Sequence, residues 1–221
     1  MFQKVLVVED IDSIALSVVQ LVESLGAHEV VVVKYCEDAW TKLKAEALQG
    51  RPFELLITDL SFEKDHRQDA ITGGEALVAQ VKAFDPQLAV VVYSIEDKPF
   101  RIQQLYHEHG IGGYVLKGRR SLEQLKTALL TVAAGERYYA PELQTTMRAS
   151  SFVSLDGYEL HLLEQLAAGY SLDEMEARFK VLGITPHSKS TIEKRLYRLR
   201  DSFNARTLMH LISLAKDQGV I

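Results

Sequence analysis

The 221-residue chain has little of several features that mark special classes of protein. Its single cysteine, Cys36, excludes an internal disulfide and a zinc site built from cysteines. Its longest apolar runs, such as the four valines at 30–33, are far too short to span a bilayer, so no membrane association is expected. Its first residues lead into an apolar strand that ends in acids, and they carry no signal-peptide pattern. We expect a cytoplasmic globular protein.

The chain also lacks a strong excess of charge of one sign, because its net charge is only −5. The distribution is uneven, however, and residues 185–207 hold six Lys and Arg residues against two acids. Such a locally basic segment suggests contact with a polyanion.

Residues 1–135 alternate short apolar runs with stretches of helical periodicity. The apolar runs predict five strands, at 4–8, 30–35, 55–58, 88–93 and 114–116. Strands that alternate with helices predict a parallel sheet covered on both faces, an α/β fold. Residues 136–152 show no apolar period and predict a linker, in which Tyr138 and Tyr139 pin the chain to the first domain. Only helices are predicted in the second domain, 153–221.

Polar residues follow the predicted strands of the first domain. They are Glu9 and Asp10 after the first strand, Asp59 after the third, Ser94 after the fourth and Lys117 after the fifth. The carboxyl ends of parallel strands meet at one edge, where converging carboxylates repel each other unless a cation lies among them. Oxygen ligands suit Mg²⁺, Lys117 and Ser94 offer donors to a phosphoryl group, and one carboxylate can serve as its acceptor. Each acid taken alone could instead cap a helix.

The segments VLVVED, LLITDL, VVVYS and GYVLKG resemble the receiver domain of two-component response regulators, over about residues 3–135. The resemblance implies a doubly wound, flavodoxin-like (βα)5 fold with Asp59 as the phosphoacceptor. It assigns the Mg²⁺ ligands to Glu9, Asp10, Asp59 and the main-chain carbonyl of Ser61. It makes Lys117 and Ser94 the catalytic partners of Asp59, and Ser94 and Tyr114 the switch residues.

Two departures from the receiver pattern bear on the lifetime of a phosphoryl group. The loop at 60–72 is longer than usual, is charged, and lacks the customary Met-Pro. Ile95 follows Ser94 where the family has a small residue, and its bulk could screen Asp59 from donors or from water.

The basic segment lies on a predicted helix at 188–204. Ile192, Leu196, Leu199 and Phe203 share one face, which predicts a core contact. The other faces suit a DNA major groove, although a solvated face is the alternative. The candidate DNA-binding residues are Lys189, Ser190, Thr191, Lys194, Arg195, Tyr197 and Arg198.

The segments SLDGYEL, LAAGYS and TIEKR resemble LuxR/NarL-type helix-turn-helix domains, over about residues 153–218. The resemblance implies double-stranded DNA as a partner, with 171–179 as the supporting helix and 188–204 in the major groove. It also implies a homodimer, in which the last helix takes part, whereas the alternative is that the apolar face of this helix packs within its own domain. The turn at 180–187 is longer than usual, and Glu193 replaces a commonly basic residue.

Together these features predict a transcriptional regulator controlled by Mg²⁺-dependent phosphorylation of Asp59, with a sensor histidine kinase or a small phosphodonor as its partner. Beyond its own phosphoryl transfer and slow dephosphorylation, the chain is not expected to be an enzyme. One alternative is a regulator or partner-binding module that works without phosphorylation. Another is a phosphohydrolase of the haloacid-dehalogenase type, which the sequence Asp10-Ile11-Asp12 resembles.

Overall fold

The computed structural model describes residues 1–62, 70–141 and 155–221. Within these ranges the chain divides into two compact units. We call them the sheet unit, which contains the β-strands, and the helical unit, which contains the C-terminal helices. Most of the predicted linker (142–152) and most of the charged loop (63–69) lie outside the described residues, so the domain limits at 135, 152 and 153 stay predictions.

The described part of the sheet unit contains six strands, one more than predicted. They are β1 (Lys4–Val8), β2 (Glu29–Val33), β3 (Leu55–Thr58), β4 (Ala89–Ser94), β5 (Gly113–Leu116) and β6 (Tyr138–Tyr139). Its helices are α1 (Asp12–Ser24), α2 (Cys36–Leu48), α3 (Gly74–Phe84), α4 (Pro99–His107) and α5 (Ser121–Ala133). The predicted doubly wound parallel fold is therefore confirmed, and its strand order is β2-β1-β3-β4-β5-β6.

The strand register brings the polar residues of the sheet edge to one level. Val8 of β1 pairs with Thr58 of β3, so the residues that follow them, Glu9 and Asp59, leave the sheet side by side. All residues of β1 and β3 are buried, as expected for central strands covered on both faces. The order of strands reverses at β1 and β3, which is where open α/β sheets form a ligand crevice.

The sixth strand lies in the segment that the sequence assigned to the linker. The amide of Tyr138 donates to the carbonyl of Gly112 (2.9 Å), and Tyr138 pairs in parallel with Gly113. The hydroxyl of Tyr106 donates to the carbonyl of Tyr138, and its ring packs 4.7 Å from that of Tyr139. The two tyrosines thus fix the chain to the edge of the sheet, as predicted, and they add a sixth strand to the five that the sequence predicted.

The described part of the helical unit consists of α6 (Gly157–Ala167), α7 (Leu172–Leu182), α8 (Lys189–Ser202) and α9 (Leu208–Gln218). Capping boxes start the first two of these helices, through Asp156 with Glu159 and through Ser171 with Glu174. The core is made of buried side chains from all four helices, including Leu162, Phe179, Ile192 and Leu211. Because α7 continues to Leu182, the turn before α8 is shorter than the sequence suggested.

In the part of the chain that the structure describes, no helix is long and apolar enough to cross a membrane.

Candidate functional site

The crevice at the carboxyl ends of the strands gathers four of the predicted site residues. Glu9 follows β1, Asp59 follows β3, Ser94 ends β4 and Lys117 follows β5. Glu9 is only 2 % exposed, Asp59 4 % and Ser94 0 %. Buried polar groups require partners, and these residues supply them to one another.

Both carboxylate oxygens of Asp59 accept hydrogen bonds. Oδ1 accepts from the amide of Leu60 (2.6 Å), the amide of Ser61 (3.1 Å) and the hydroxyl of Ser94 (2.5 Å). Oδ2 accepts from Nζ of Lys117 (2.6 Å). These donors fix the orientation of the carboxylate and place positive partial charge beside it, which can offset the charge of an anionic group that approaches.

The ammonium of Lys117 lies between the carboxylates of Glu9 and Asp59. Its Nζ atom is 2.7 Å from Oε2 of Glu9 and 2.6 Å from Oδ2 of Asp59. Burial alone would lower the pKa of Lys117, but the hydrogen bonds to the two carboxylates raise it above its ordinary value. Nζ also lies 5.4 Å from the centre of the Tyr93 ring, a cation–π contact. Lys117 is therefore held in its charged form.

Glu9 is the carboxyl group whose ionised form this environment disfavours. Desolvation raises the pKa of Glu9 above its ordinary value, although the hydrogen bond from Lys117 opposes the effect. In formal charges, two carboxylates and one ammonium leave this buried group with one negative charge in excess. Because isolated charge is costly in a low-dielectric site, the crevice is suited to an additional cation.

The predicted metal ligands are only partly gathered. Among the residues that the structure describes, no three side chains of His, Cys, Asp or Glu form a cluster of the kind that holds a metal ion. Glu9 and Asp59 meet at Lys117, Asp10 is half-buried, and Ser61 follows Asp59 by two residues. The oxygen donors present match the preference of a hard divalent cation, so the residues fit such an ion in their chemistry.

The predicted switch aromatic, Tyr114, lies inside the sheet unit. It is 0 % exposed, and its hydroxyl donates to the main-chain carbonyl of Glu96 (2.6 Å). Burial raises the pKa of Tyr114 far above its ordinary value, so the phenol stays neutral. Ile95, between Ser94 and Glu96, is 69 % exposed. One loop thus joins the hydroxyl bound to Asp59 and the carbonyl bound to Tyr114.

The sequence motifs did not single out Gly74, the first residue of α3, which lies against the backbone of Asp59. A Cβ atom at Gly74 would lie 1.8 Å from the main-chain oxygen of Asp59. The amide of Gly74 donates to the carbonyl of Leu60 (3.1 Å). Only glycine lets the start of α3 approach the backbone of Asp59, the phosphoacceptor candidate, so closely. The sequence signal that could have indicated this close approach is the Gly73-Gly74 pair at the start of the helix.

Asp12, the second aspartate of the dehalogenase-type sequence Asp10-Ile11-Asp12, lies away from Lys117. The side chain of Asp12 is 83 % exposed and forms an ion pair with Lys34 (2.7 Å). The acid that shares Lys117 with Glu9 is Asp59. The arrangement brings together the residues of the receiver pattern rather than the Asp10 and Asp12 pair.

In the helical unit, α8 buries the face that the sequence predicted. Ile192, Leu196, Leu199 and Phe203 are buried. Ser190, Lys194, Tyr197 and Arg198 are exposed, and Thr191 is half-buried with its hydroxyl 2.8 Å from that of Ser188.

Two of the predicted DNA-binding cations on α8 are engaged within the helical unit. Nζ of Lys189 lies 2.6 Å from Oδ1 of Asp173. Nη1 of Arg195 lies 3.0 Å from Oε1 of Glu159 and 3.6 Å from Oδ2 of Asp156, which form the capping box of α6. Arg195 therefore ties α8 to α6, a contact that the periodicity of a single helix does not reveal.

Comparison with known proteins identifies relatives over nearly the whole chain, although no family model matches it. The response regulator GacA of Pseudomonas aeruginosa is 25 % identical, over 99 % of this chain and 97 % of its own length. The transcriptional regulatory protein UhpA of Salmonella typhimurium is 30 % identical over 152 residues, which cover 66 % of this chain and 70 % of UhpA. The chain belongs to the response-regulator family.

Solved structures of the response regulator RcsB share its fold. One, of two RcsB dimers bound to two parallel DNAs, has a TM-score of 0.62 at 20 % identity and covers 97 % of this chain and 98 % of that one. Another, of the isolated receiver domain of RcsB from Salmonella enterica serovar Typhimurium with a beryllofluoride phosphomimetic, has a TM-score of 0.54 at 21 % identity. It covers 65 % of this chain and 96 % of that one. The chain thus combines a receiver fold with a LuxR/NarL-type helix-turn-helix fold.

Proposed function

We propose that this response regulator is a DNA-binding transcriptional regulator controlled by phosphorylation of Asp59. The observation that carries the proposal is the environment of that carboxylate, which is buried, held by three donors on Oδ1, and paired with Lys117 through Oδ2. A structural aspartate needs one counter-ion or cap. Asp59 instead has a cation, a hydroxyl and two amides directed at it from the ends of three neighbouring strands.

The reaction that this environment supports is attack by an Asp59 carboxylate oxygen on the phosphorus of a donor. The new bond joins that oxygen to phosphorus, and the bond from phosphorus to the donor breaks. The electron pair of the broken bond leaves with the donor, either an imidazole of a sensor histidine kinase or the carboxylate of a small acyl phosphate. Lys117 and the hydroxyl of Ser94 offset the charge on the phosphoryl oxygens.

Glu9, Asp10, Asp59 and the main-chain carbonyl of Ser61 are the groups that we assign to a Mg²⁺ ion. Mg²⁺, when bound, supplies positive charge that balances the excess of carboxylates and the incoming phosphoryl group. The assignment is supported by the uncompensated charge of the Glu9, Asp59 and Lys117 group and by its oxygen donors.

Ser94 and Tyr114 connect the modified aspartate to the surface of the receiver. The hydroxyl of Ser94 binds Asp59 directly, and an aspartyl phosphate offers it new acceptor oxygens. A displacement of Ser94 moves the loop that contains Glu96, whose carbonyl holds the hydroxyl of Tyr114. We assign the resulting change of surface to a homodimer that is favoured by phosphorylation.

The DNA contact is assigned to the exposed face of α8. No carboxylate of the described residues forms an ion pair with Lys194 or Arg198, whereas Lys189, Arg195 and Arg200 each form at least one. Lys194 and Arg198 lie four residues apart and therefore share a helix face. Two unpaired cations on one face can reach the phosphates or guanine edges of a major groove. Ser190, Thr191 and Tyr197 supply hydroxyl groups beside them.

We further propose that the protein acts in the cytoplasm and has no catalytic activity beyond its own phosphoryl transfer and slow dephosphorylation. The single buried cysteine fits a reducing compartment, and the acids of the Asp10-Ile11-Asp12 pattern do not share Lys117. Release of phosphate in multiple turnovers that is lost in Asp10→Asn and kept in Asp59→Asn would contradict this proposal and support a phosphohydrolase.

The test is DNA affinity with and without acetyl phosphate and Mg²⁺. A duplex is first selected from a randomised pool with the full chain, and then titrated with wild type and with Asp59→Asn. We expect tighter binding after acetyl phosphate for wild type alone. Equal wild-type affinity in both conditions would contradict control by phosphorylation, and failure to bind any duplex would contradict the DNA-binding function.

A further inference from the structure

Glu193 is an acidic residue of the α8 surface that forms no ion pair with a described residue, although its charge contributes, after the hydrogen bond from Lys189 to Asp173, to the raised pKa of Lys189. It is exposed, and no cation lies within ion-pair distance of it. A carboxylate in the middle of a basic segment would normally pair with a lysine or arginine one turn away. Glu193 instead has only a more distant charge interaction, with Lys189.

The neighbours one turn away from Glu193 are engaged with other groups. Lys189, four residues earlier, directs its ammonium to Asp173 at 2.6 Å. Tyr197, four residues later, lies under the guanidinium of Arg200, which is 4.9 Å from its ring centre. Because the side chains of Lys189 and Tyr197 contact these other groups, the carboxylate of Glu193 stays available to a partner outside the chain.

Glu193 lies at the side of α8, next to the surface that presents Lys194 and Arg198. At about 100° per residue, Lys194 points almost directly away from the buried Ile192, Glu193 points sideways, and Tyr197 lies between them. All three side chains are exposed. A partner that covers this surface, as the proposed function requires of DNA, meets an acceptor on one side and an ammonium donor on the other.

A DNA surface offers a carboxylate few favourable positions. Phosphates repel it, and in the major groove guanine presents the acceptors N7 and O6 while thymine presents O4. Cytosine presents its N4 amino group as a donor without a neighbouring acceptor on the same base, and Asp and Glu accept from it. Adenine has a donor beside the acceptor N7, which suits an amide side chain better than a carboxylate.

We propose that Glu193 is a specificity-determining residue that accepts a hydrogen bond from the N4 amino group of a cytosine in the major groove. The inference rests on the proposed DNA-binding function and adds to it a base preference at one position of the binding site. Repulsion between Glu193 and phosphates also weakens binding to every other sequence, so the residue raises selectivity at the expense of non-specific affinity.

The test compares the base preferences of the full-length wild type, Glu193→Gln and Asp201→Asn. Asp201→Asn is the matched control, because it removes the same charge from the same helix at an acid that is paired with Arg200. Each protein selects duplexes from a randomised pool, and each position of the preferred site is then changed singly in competition titrations. Thermal unfolding of the variants checks that the fold is retained.

We expect one position at which wild type and Asp201→Asn prefer cytosine by roughly tenfold to a hundredfold, and at which Glu193→Gln loses that preference or shifts it towards adenine. Preferences at the other positions stay unchanged. If Glu193→Gln tightens binding to all duplexes equally and keeps every preference, Glu193 only repels phosphates and the inference is wrong. If wild type itself binds no duplex selectively, the proposed function fails and this inference falls with it.

Discussion

Nζ of Lys117 lies 2.6 Å from Oδ2 of Asp59, and the same ammonium reaches Glu9 at 2.7 Å. One cation thus serves two buried carboxylates that leave neighbouring strands. The arrangement holds Asp59 in place and at the same time leaves the crevice short of positive charge. Both properties follow from three residues that are far apart in sequence and meet because parallel strands end at one edge.

Replacing Lys117 by methionine removes the only positive charge in that group of three. In magnesium-free buffer we expect the free energy of unfolding to fall by about 3 kcal/mol, because two buried carboxylates are left without their counter-ion. Uptake of a phosphoryl group from acetyl phosphate should slow by roughly a hundredfold to a thousandfold. Urea unfolding and intact-mass time courses measure the two effects. The same substitution at exposed Lys126 serves as the control, and equal behaviour of the two variants would count against the role of Lys117.

Gly74→Ala tests the close approach of α3 to Asp59, the proposed phosphoacceptor. Because the added methyl group would lie 1.8 Å from the oxygen of Asp59, the backbone must shift, which costs about 1–3 kcal/mol and displaces the carboxylate. We expect a lower melting temperature together with slower phosphoryl uptake. Gly118→Ala is the matched control, since no atom lies within 4 Å of the position of its Cβ. If Gly74→Ala changes neither the melting temperature nor the rate of phosphoryl uptake, the close approach of α3 to Asp59 is unimportant.

The ion pair between Lys4 and Glu46, at the opposite edge of the sheet, predicts a pH dependence of stability. The hydrogen bond from Lys4 (2.6 Å), partly offset by burial, lowers the pKa of Glu46 below its ordinary value of 4.5. A carboxyl group with a lowered folded-state pKa contributes stability above its unfolded-state pKa and loses it as the pH falls through the folded-state pKa. The difference in unfolding free energy between wild type and Glu46→Gln should therefore be present at about pH 7 and shrink below about pH 4.5.

Urea titrations at several pH values measure this difference, with exposed Glu23→Gln as the control. A difference that stays constant between neutral and acidic pH would contradict the assigned pKa direction.

Lys194→Ala and Arg198→Ala test whether α8 faces DNA. Each variant should weaken binding to all duplexes and reduce the slope of log affinity against log salt by about one, because one phosphate contact is lost. Fluorescence titrations over a range of salt concentrations supply both numbers. Lys126→Ala in the receiver is the control, because it removes an exposed cation that the proposal does not place on DNA. If neither variant differs from it, another surface binds the nucleic acid.

The sequence predicted the sheet and the gathering of its polar residues well, because both follow from local periodicity. Buried runs such as 4–8 and 55–58 match β1 and β3 at both ends. Once these strands are parallel, Glu9, Asp59 and Lys117 must emerge at one edge. The apolar seam of α8 was predictable for the same reason, since Ile192 and Leu196 lie one turn apart.

What the sequence did not predict depends on contacts between distant segments. The strand at Tyr138 is only two residues long. It forms because Tyr138 and Tyr139 pair with the edge of β5 and because the hydroxyl of Tyr106 donates a hydrogen bond to the carbonyl of Tyr138. The tight approach of Gly74 to Asp59 and the tie from Arg195 to Glu159 are tertiary contacts of the same kind. Periodicity places a residue on a face, but it does not show which partner lies opposite.

The central claim is that the carboxylate of Asp59 takes up a phosphoryl group. Its most direct test is the intact mass of the full-length protein after incubation with acetyl phosphate and Mg²⁺, for wild type, Asp59→Asn and the control Glu23→Gln. We expect a mass increase of one phosphoryl group in wild type and in Glu23→Gln, its absence in Asp59→Asn, and its absence in all three when EDTA replaces Mg²⁺. Labelling of Asp59→Asn to the wild-type extent, or no labelling of wild type, would contradict the claim.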